Sequence, residues 1–167
     1  MGDRFAYFRG KIETVRVDLM VIEGDRDPQL KGAELNRLAR VAGPALQRAS
    51  IARGGRPAGY LRVTPGYELP CKLLAQAVNT MGTDTESLQL CYWNALNYAR
   101  DREFKTVSFS LLGTNLNLKC SPEVAARVAL SQISSWLEGG STGSVDKFIL
   151  CVHGPVNQKA VASALEG

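Results

Sequence analysis

Two stretches of sequence decide the fold of this chain: residues 31–49 read KGAELNRLARVAGPALQRA, and residues 64–74 read TPGYELPCKLL. In the first stretch, the apolar residues recur at the spacing of one helical face. They are Leu35, Leu38, Ala39, Ala42 and Leu46. Gly43-Pro44 interrupts the pattern, and because proline is tolerated in the first turn of a helix, the dipeptide predicts a kink or a restart.

Strands and helices alternate outward from these two stretches. Strands are predicted at residues 5–8, 15–21, 60–63, 73–78, 106–112 and 147–152. Further helices are predicted from about Asp84, from Pro122 behind a Ser121 N-cap, and from Pro155. Residues 52–57 read as a loop. Such alternation predicts one α/β domain over residues 1–167, with its core at residues 5–165, in which helices cover both faces of a mostly parallel sheet.

Composition excludes several classes of protein. The 167 residues are 45% hydrophobic and 22% charged, which is ordinary globular usage. The formal net charge of +4 permits an anionic partner without requiring one. No apolar run reaches the roughly 20 residues of a membrane-spanning helix, so no membrane role is expected.

The cysteines predict a reduced, intracellular protein, cytoplasmic or nuclear. Cys71, Cys91, Cys120 and Cys151 are far apart in sequence, and the one histidine, His153, cannot complete a zinc set with them. Each thiol lies in an apolar context that is typical of core packing. We therefore expect no metal site and no cofactor.

Several motifs carry a resemblance to a known family. GKIETVRVD at residues 10–18, YELPCK at residues 67–72, LCYWNALNYA at residues 90–99 and SFSLLGT at residues 108–114 occur in a fixed order and spacing. In that order they resemble the macro domain, an α/β module whose members bind or hydrolyse ADP-ribose. The resemblance covers nearly the whole chain. It implies a three-layer α/β/α fold with a mixed, mostly parallel six-stranded sheet.

The resemblance also implies where a ligand pocket should lie, and the first half of that pocket departs from the family pattern. Lys11 stands where the family has an adenine-reading aspartate, and a cation cannot accept that hydrogen bond. Asp25 replaces the distal-ribose asparagine. The glycine-rich loop keeps only Gly32, which Ala33 follows, and Leu35 replaces the acidic residue of hydrolytic members.

The second phosphate-binding loop of the family is also altered. It reads Gly113-Thr114-Asn115-Leu-Asn117-Leu118 instead of a run with three small or glycine positions. Backbone amides of Gly113 to Asn115 could still meet a phosphate. Asn115 could adopt a left-handed conformation, in which Leu118 would be strained.

Individual residues keep alternative interpretations open. Lys11 is an anion ligand or a solvated surface group. Glu23 and Asp25 form a carboxylate pair or belong to a charged loop facing water. Cys151 and His153, two apart on a predicted strand, face one side as a nucleophilic pair or as packing residues.

Three functions follow as hypotheses. The first is a non-enzymatic binding module that has lost the nucleotide pocket and contacts a protein partner or belongs to a larger multidomain chain. The second is a divergent ADP-ribose or nucleotide binder. The third is an RNA- or DNA-binding surface at Arg37, Arg40 and Arg48. Hydrolysis of ADP-ribosyl groups is not predicted, because neither the asparagine nor the acidic residue is present.

Overall fold

The computed structural model describes residues 2–79, 85–116 and 120–167. Six strands are present: β1 Phe5–Arg9, β2 Val17–Gly24, β3 Leu61–Pro65, β4 Cys71–Val78, β5 Thr106–Ser110 and β6 Lys147–Val152. Five α-helices alternate with them: α1 Ala33–Ala42, α2 Ala45–Arg53, α3 Glu86–Asp101, α4 Pro122–Glu138 and α5 Pro155–Glu166.

The strands form one mixed sheet in the order β1-β6-β5-β2-β4-β3. Every neighbouring pair is parallel except β3 and β4, which are antiparallel and joined through the Pro65-Gly66 turn. A parallel sheet needs crossover helices, and the helices between the strands supply them. The predicted six-stranded, mostly parallel sheet is confirmed.

Two apolar clusters fill the space between the sheet and its helices. One contains the alternate residues Leu19 and Val21 of β2 with side chains of α3, α4 and α5. The other contains Met20 and Ile22 with side chains of α1 and α2. Because successive residues of β2 point to opposite faces, both faces are covered and the fold has three layers.

The helix boundaries follow local sequence signals. Gly43 has φ 94° and ends α1, so the Gly-Pro dipeptide restarts the helix instead of kinking it. Ser121 caps α4, and its Oγ accepts a hydrogen bond from the amide of Val124 at 3.2 Å. The predicted loop at residues 52–57 begins too early, since α2 continues to Arg53 and ends at Gly54. None of the helices in the described residues is long and apolar enough to cross a membrane.

The residue after the last turn of α3 gives a stability prediction. Glu103 has φ 59°, a left-handed conformation in which an L side chain costs about 1 kcal/mol. We expect Glu103→Gly to raise the free energy of unfolding by about 0.5–1 kcal/mol in urea denaturation. Glu123→Gly in the first turn of α4 is the control and should lower it by a similar amount. Equal losses in both variants would contradict the strain argument.

Candidate functional site

The predicted pocket residues collect at one edge of the sheet. The parallel strands β1, β2, β4, β5 and β6 all end there, and the chain that follows β2 and β5 forms two facing loops. Ligands of open α/β sheets bind at this carboxyl edge. We call residues 25–32 and 111–116, with the end of β2 between them, the carboxyl-edge site.

A carboxylate of the chain itself occupies the centre of this site. Glu23 lies near the end of β2 and is only 2% exposed. Its Oε1 accepts three backbone hydrogen bonds from the loop after β5: from Gly113 at 3.1 Å, Asn115 at 3.0 Å and Leu116 at 3.4 Å. Convergent backbone N–H groups form an anion-binding nest, and Glu23 supplies the anion.

Glu23 corrects the interpretation of this segment as a charged loop facing water. Leu19 and Val21, four and two residues earlier in the strand, lie in the core on the α3 and α4 side. Glu23 has the same parity, so β2 directs its side chain inward as well. Its second oxygen, Oε2, is buried and has no hydrogen-bond partner among the described residues.

The loop after β5 is held by side chains as well as by Glu23. Gly113 adopts φ 97°, and an added Cβ would meet Leu88 Cδ2 and Cys120 Sγ at 3.3 Å each. Thr114 Oγ1 donates to the carbonyl of Leu111 at 2.6 Å. Asn115 does not adopt the left-handed conformation that was open to it, and its amide donates to Glu23 instead. Asn117 and Leu118 lie outside the described residues.

A second buried carboxylate faces the same loop. Glu34, in the first turn of α1, is 8% exposed and its Oε1 accepts from Asn115 Nδ2 at 3.3 Å. Burial raises the pKa of Glu34 to about 7. The Ser110 hydroxyl and the Arg37 guanidinium oppose this shift in pKa, whereas Glu23 and Glu13 add to it.

Arg37 is the cation nearest these carboxylates. Its Nε makes a short ion pair with Glu13, and its Nη2 lies 3.9 Å from Glu34 Oε2. Two acidic side chains, Glu13 and Glu34, therefore share one guanidinium at this part of the site. The predicted nucleic-acid surface loses one free charge as a result, while Arg40 and Arg48 remain exposed.

An apolar contact joins the two facing loops. Gly32 precedes α1 with φ 92°, and a Cβ at this position would come within 2.8 Å of Leu116 Cδ2. The Leu116 side chain therefore packs directly on the Gly32 backbone. Only glycine permits both this close approach and this conformation. Ala33 begins α1 and is exposed.

Lys11 and Asp25 lie at the periphery of the site. Lys11 follows β1 and is exposed. The Asp25 carboxylate accepts from Lys31 Nζ at 3.0 Å, and Lys31 also pairs with Asp27 at 3.2 Å. Asp25 is thus engaged within its own loop and forms no pair with Glu23.

The cysteines behave as packing residues. Burial raises the pKa of the Cys71, Cys91 and Cys151 thiols to about 12. The predicted shared face of Cys151 and His153 is wrong, since β6 ends at Val152 and His153 is exposed beyond it. Within residues 2–79, 85–116 and 120–167 no group of three or more His, Cys, Asp or Glu side chains is placed to hold a metal ion.

Sequence reasoning missed two buried residues that shape this region. The resemblance indicated Leu35 as a pocket position and not its neighbour Glu34. Leu35 lies in the core beneath α1. Arg62 was counted within a strand, yet its guanidinium is fully buried and binds the loop after β2. The local sequence gave no signal for this, because an arginine that alternates with Leu61 and Val63 is also the pattern of a strand with one face in water.

The fold and the arrangement of this edge define an α/β module of one family. Residues 32–129 match the Macro domain family. A macro domain-containing protein of Methanosarcina mazei is 33% identical over 142 residues, covering 81% of this chain and 75% of the relative. The chain belongs to the macro domain family.

More distant relatives include named enzymes and solved structures. Human "ADP-ribose glycohydrolase MACROD2" is 28% identical over 165 residues, which are 95% of this chain but 38% of the human protein. This chain therefore spans less than half of that relative. The Trypanosoma brucei macrodomain solved in complex with ADP-ribose superposes with a TM-score of 0.87 at 25% identity, over 97% of this chain and 69% of the other.

Proposed function

We propose that this chain is a non-enzymatic macro domain that serves as a binding module for a protein partner or a larger assembly. Its carboxyl-edge site does not take the diphosphate of ADP-ribose. The observation that carries this proposal is the Glu23 carboxylate, which occupies three amide donors of the loop after β5. A phosphate needs the same donors.

Local charge supports the same conclusion. Glu13, Glu23 and Glu34 lie at the site, and Arg37 pairs with Glu13 and Glu34 only. A diphosphate carries two negative charges into a region where water is excluded and electrostatic repulsion is strong. Leu116 packed on Gly32 adds a steric barrier between the two loops.

The non-enzymatic part of the proposal rests on the residues that replace the expected ones. The resemblance places the distal-ribose asparagine at Asp25, whose carboxylate is paired with Lys31. It places the acidic residue of hydrolytic members at Leu35, which is buried in the apolar cluster of α1 and α2. The relatives named glycohydrolases are matched over less than half their length.

A surface for a protein partner lies on α3. Leu90 and Trp93 are exposed and one helical turn apart. The turn before β3 approaches them, since Asn94 Nδ2 donates to the carbonyl of Gly59 at 2.7 Å and the adjacent Tyr60 is exposed. Exposed large apolar side chains grouped in this way are typical of interaction surfaces.

A divergent nucleotide-binding module is the second candidate. The amides of Gly113, Asn115 and Leu116 already converge on one point, so an anion nest is preformed. A related macrodomain was solved with ADP-ribose. In this alternative, a bound phosphate displaces the Glu23 side chain.

Titration of ADP-ribose into wild type, Glu23→Ala and Glu23→Gln tests the proposal by isothermal calorimetry. Alanine frees the three amides, while glutamine still presents an oxygen to them and fills the same space. We expect no heat from wild type or Glu23→Gln, and binding by Glu23→Ala. A folded Glu23→Ala is verified first by its melting transition.

The other outcomes are equally decisive. Binding by wild type would contradict the proposal and favour the nucleotide-binding candidate. If Glu23→Ala gives no heat and only Lys11→Asp restores binding, then Lys11 and not Glu23 prevents ADP-ribose from binding. The nucleic-acid surface at Arg37, Arg40 and Arg48 stays a prediction, and charge reversal at Arg40 and Arg48 tests it by filter binding.

A further inference from the structure

A second group of arginines surrounds a cavity against β3, and none of the residues that line it belongs to the carboxyl-edge site. Strand β3 is the edge of the sheet, and a cavity of about 380 Å³ lies against it. Part of the cavity lining is apolar, and we call its residues Leu61, Val63 and Leu73 the apolar floor. Its rim carries Arg53, Arg56 and Arg102 beside the ring of Tyr98.

Each of the three guanidinium groups is anchored by a neutral partner. Arg53 Nε donates to the carbonyl of Val63 at 2.9 Å. Arg56 Nη1 donates to the carbonyls of Arg53 at 2.7 Å and Gly55 at 3.0 Å. The Arg102 guanidinium lies 4.9 Å from the centre of the Tyr98 ring. These contacts orient the arginines and leave other N–H donors of each available.

The positive charge at this rim is not compensated. None of the three arginines forms an ion pair with a carboxylate in the part of the chain that the structure describes. Asp101, the acidic neighbour of Arg102, pairs with Arg100 at 3.1 Å instead. Burial lowers the pKa of Arg62, and the nearby charge of Arg56 lowers it further, whereas Asp25 and Asp27 oppose this shift in pKa.

We propose that this cavity is a binding site for a phosphomonoester attached to a small apolar or aromatic group. Planar guanidinium forks match the oxygens of a phosphate and hold it by paired, charge-assisted hydrogen bonds. The cavity is larger than a phosphate requires, and its apolar floor with Tyr98 fits a ring on the same ligand. The site is separate from the one containing Glu23 and does not depend on it.

Phenyl phosphate is the probe, followed by ¹H–¹⁵N NMR of the whole chain. We expect shifts at the side-chain Nε–H groups of Arg53 and Arg102 and along β3, with no change at Gly113 or Asn115. Inorganic phosphate and phenol, the two parts of phenyl phosphate, are titrated separately. Weaker binding of inorganic phosphate would assign a contribution to the apolar floor, and equal binding would identify a free-phosphate site.

Matched double variants separate a built site from general positive charge. Arg53→Gln with Arg102→Gln should weaken phenyl phosphate binding by about tenfold or more. Arg40→Gln with Arg48→Gln removes the same charge from exposed positions of α1 and α2 and should leave binding within about twofold. The single variant Arg102→Gln keeps the hydrogen bond from Arg53 to Val63. It is measured as well, in case the double variant does not fold.

Three results would overturn the proposal. They are the absence of shifts with millimolar phenyl phosphate, shifts centred on Gly113 and Asn115, and equal weakening in the two double variants. Shifts at Gly113 would mean that the anion enters the carboxyl-edge site. The titration of Glu23→Ala with ADP-ribose tests the role of Glu23 independently of this result.

Discussion

Replacement of Arg62 by methionine is expected to lower the free energy of unfolding by about 3–5 kcal/mol. The Arg62 guanidinium is 0% exposed and donates to the carbonyls of Gly54 and Asp25 at 2.8 Å and of Arg26 at 2.9 Å. It also donates to Gln76 Oε1 at 2.8 Å. Methionine fills similar space but leaves these buried acceptors without a donor.

The loss is large because the acceptors belong to one network. Gln76 Nε2 donates to Ser50 Oγ at 3.0 Å, and Ser50 Oγ donates to the carbonyl of Pro28. Strands β3 and β4, helix α2 and the loop after β2 are joined in this way. A buried polar network that keeps only some of its hydrogen bonds is strongly destabilising. Removal of the guanidinium therefore leaves several buried groups unsatisfied at once.

Urea denaturation measures the effect on stability. Arg48→Met, at an exposed position of α2, is the control and should change stability by no more than about 0.5 kcal/mol. Arg62→Lys retains a cation but lacks the planar set of donors that arginine has. Its loss of stability should lie between those of Arg62→Met and Arg48→Met. A loss below about 1 kcal/mol for Arg62→Met would show that water replaces the guanidinium.

A second large effect is expected in the pH dependence of stability. The pKa of Glu34 is about 7 in the folded chain, compared with 4.5 for an unperturbed side chain. The folded state therefore keeps a proton that the unfolded state has released between these two pH values. Stability contributed by this group is fully present below about pH 4.5 and is lost as pH rises through about 7. This difference in pKa between the folded and unfolded states corresponds to about 3 kcal/mol.

The Glu34→Gln variant isolates this dependence. Glutamine is neutral at every pH and retains the oxygen that accepts from Asn115. The variant should match wild type near pH 4.5 and exceed it by up to about 3 kcal/mol above pH 8. Glu13, Glu23 and Arg37 face the same group, so the comparison is made as a difference between the two profiles. Glu68→Gln, at an exposed position, is the control. Parallel profiles for wild type and Glu34→Gln would contradict the assignment.

Local signals in the sequence were sufficient for most of the architecture. Ser121-Pro122 placed the start of α4, Gly43-Pro44 placed the break between α1 and α2, and the apolar run at residues 147–152 placed β6. These signals succeed because capping, proline geometry and strand alternation act within a few residues. The end of α2 was less certain, since Ala52 and Arg53 are compatible with either a helix or a loop.

The carboxyl-edge site was predicted only in part, because its decisive contacts are distant in sequence. Glu23 binds amides more than 85 residues away, at Gly113 and beyond. Nothing local distinguishes this glutamate from a solvated one. The same is true of Glu34 and Asn115, whose contact requires α1 and the loop after β5 to be adjacent.

The sequence by itself therefore determined the family and the order of strands and helices along the chain. It did so because periodicity, turns and caps are short-range properties of the chain. Only the tertiary structure showed what lies at the carboxyl edge: a buried carboxylate on an anion nest, with an ionisable glutamate beside it. It also brought together the arginines that line a separate cavity against β3. Burial and electrostatics determine each of these, and both depend on which distant residues the fold brings together.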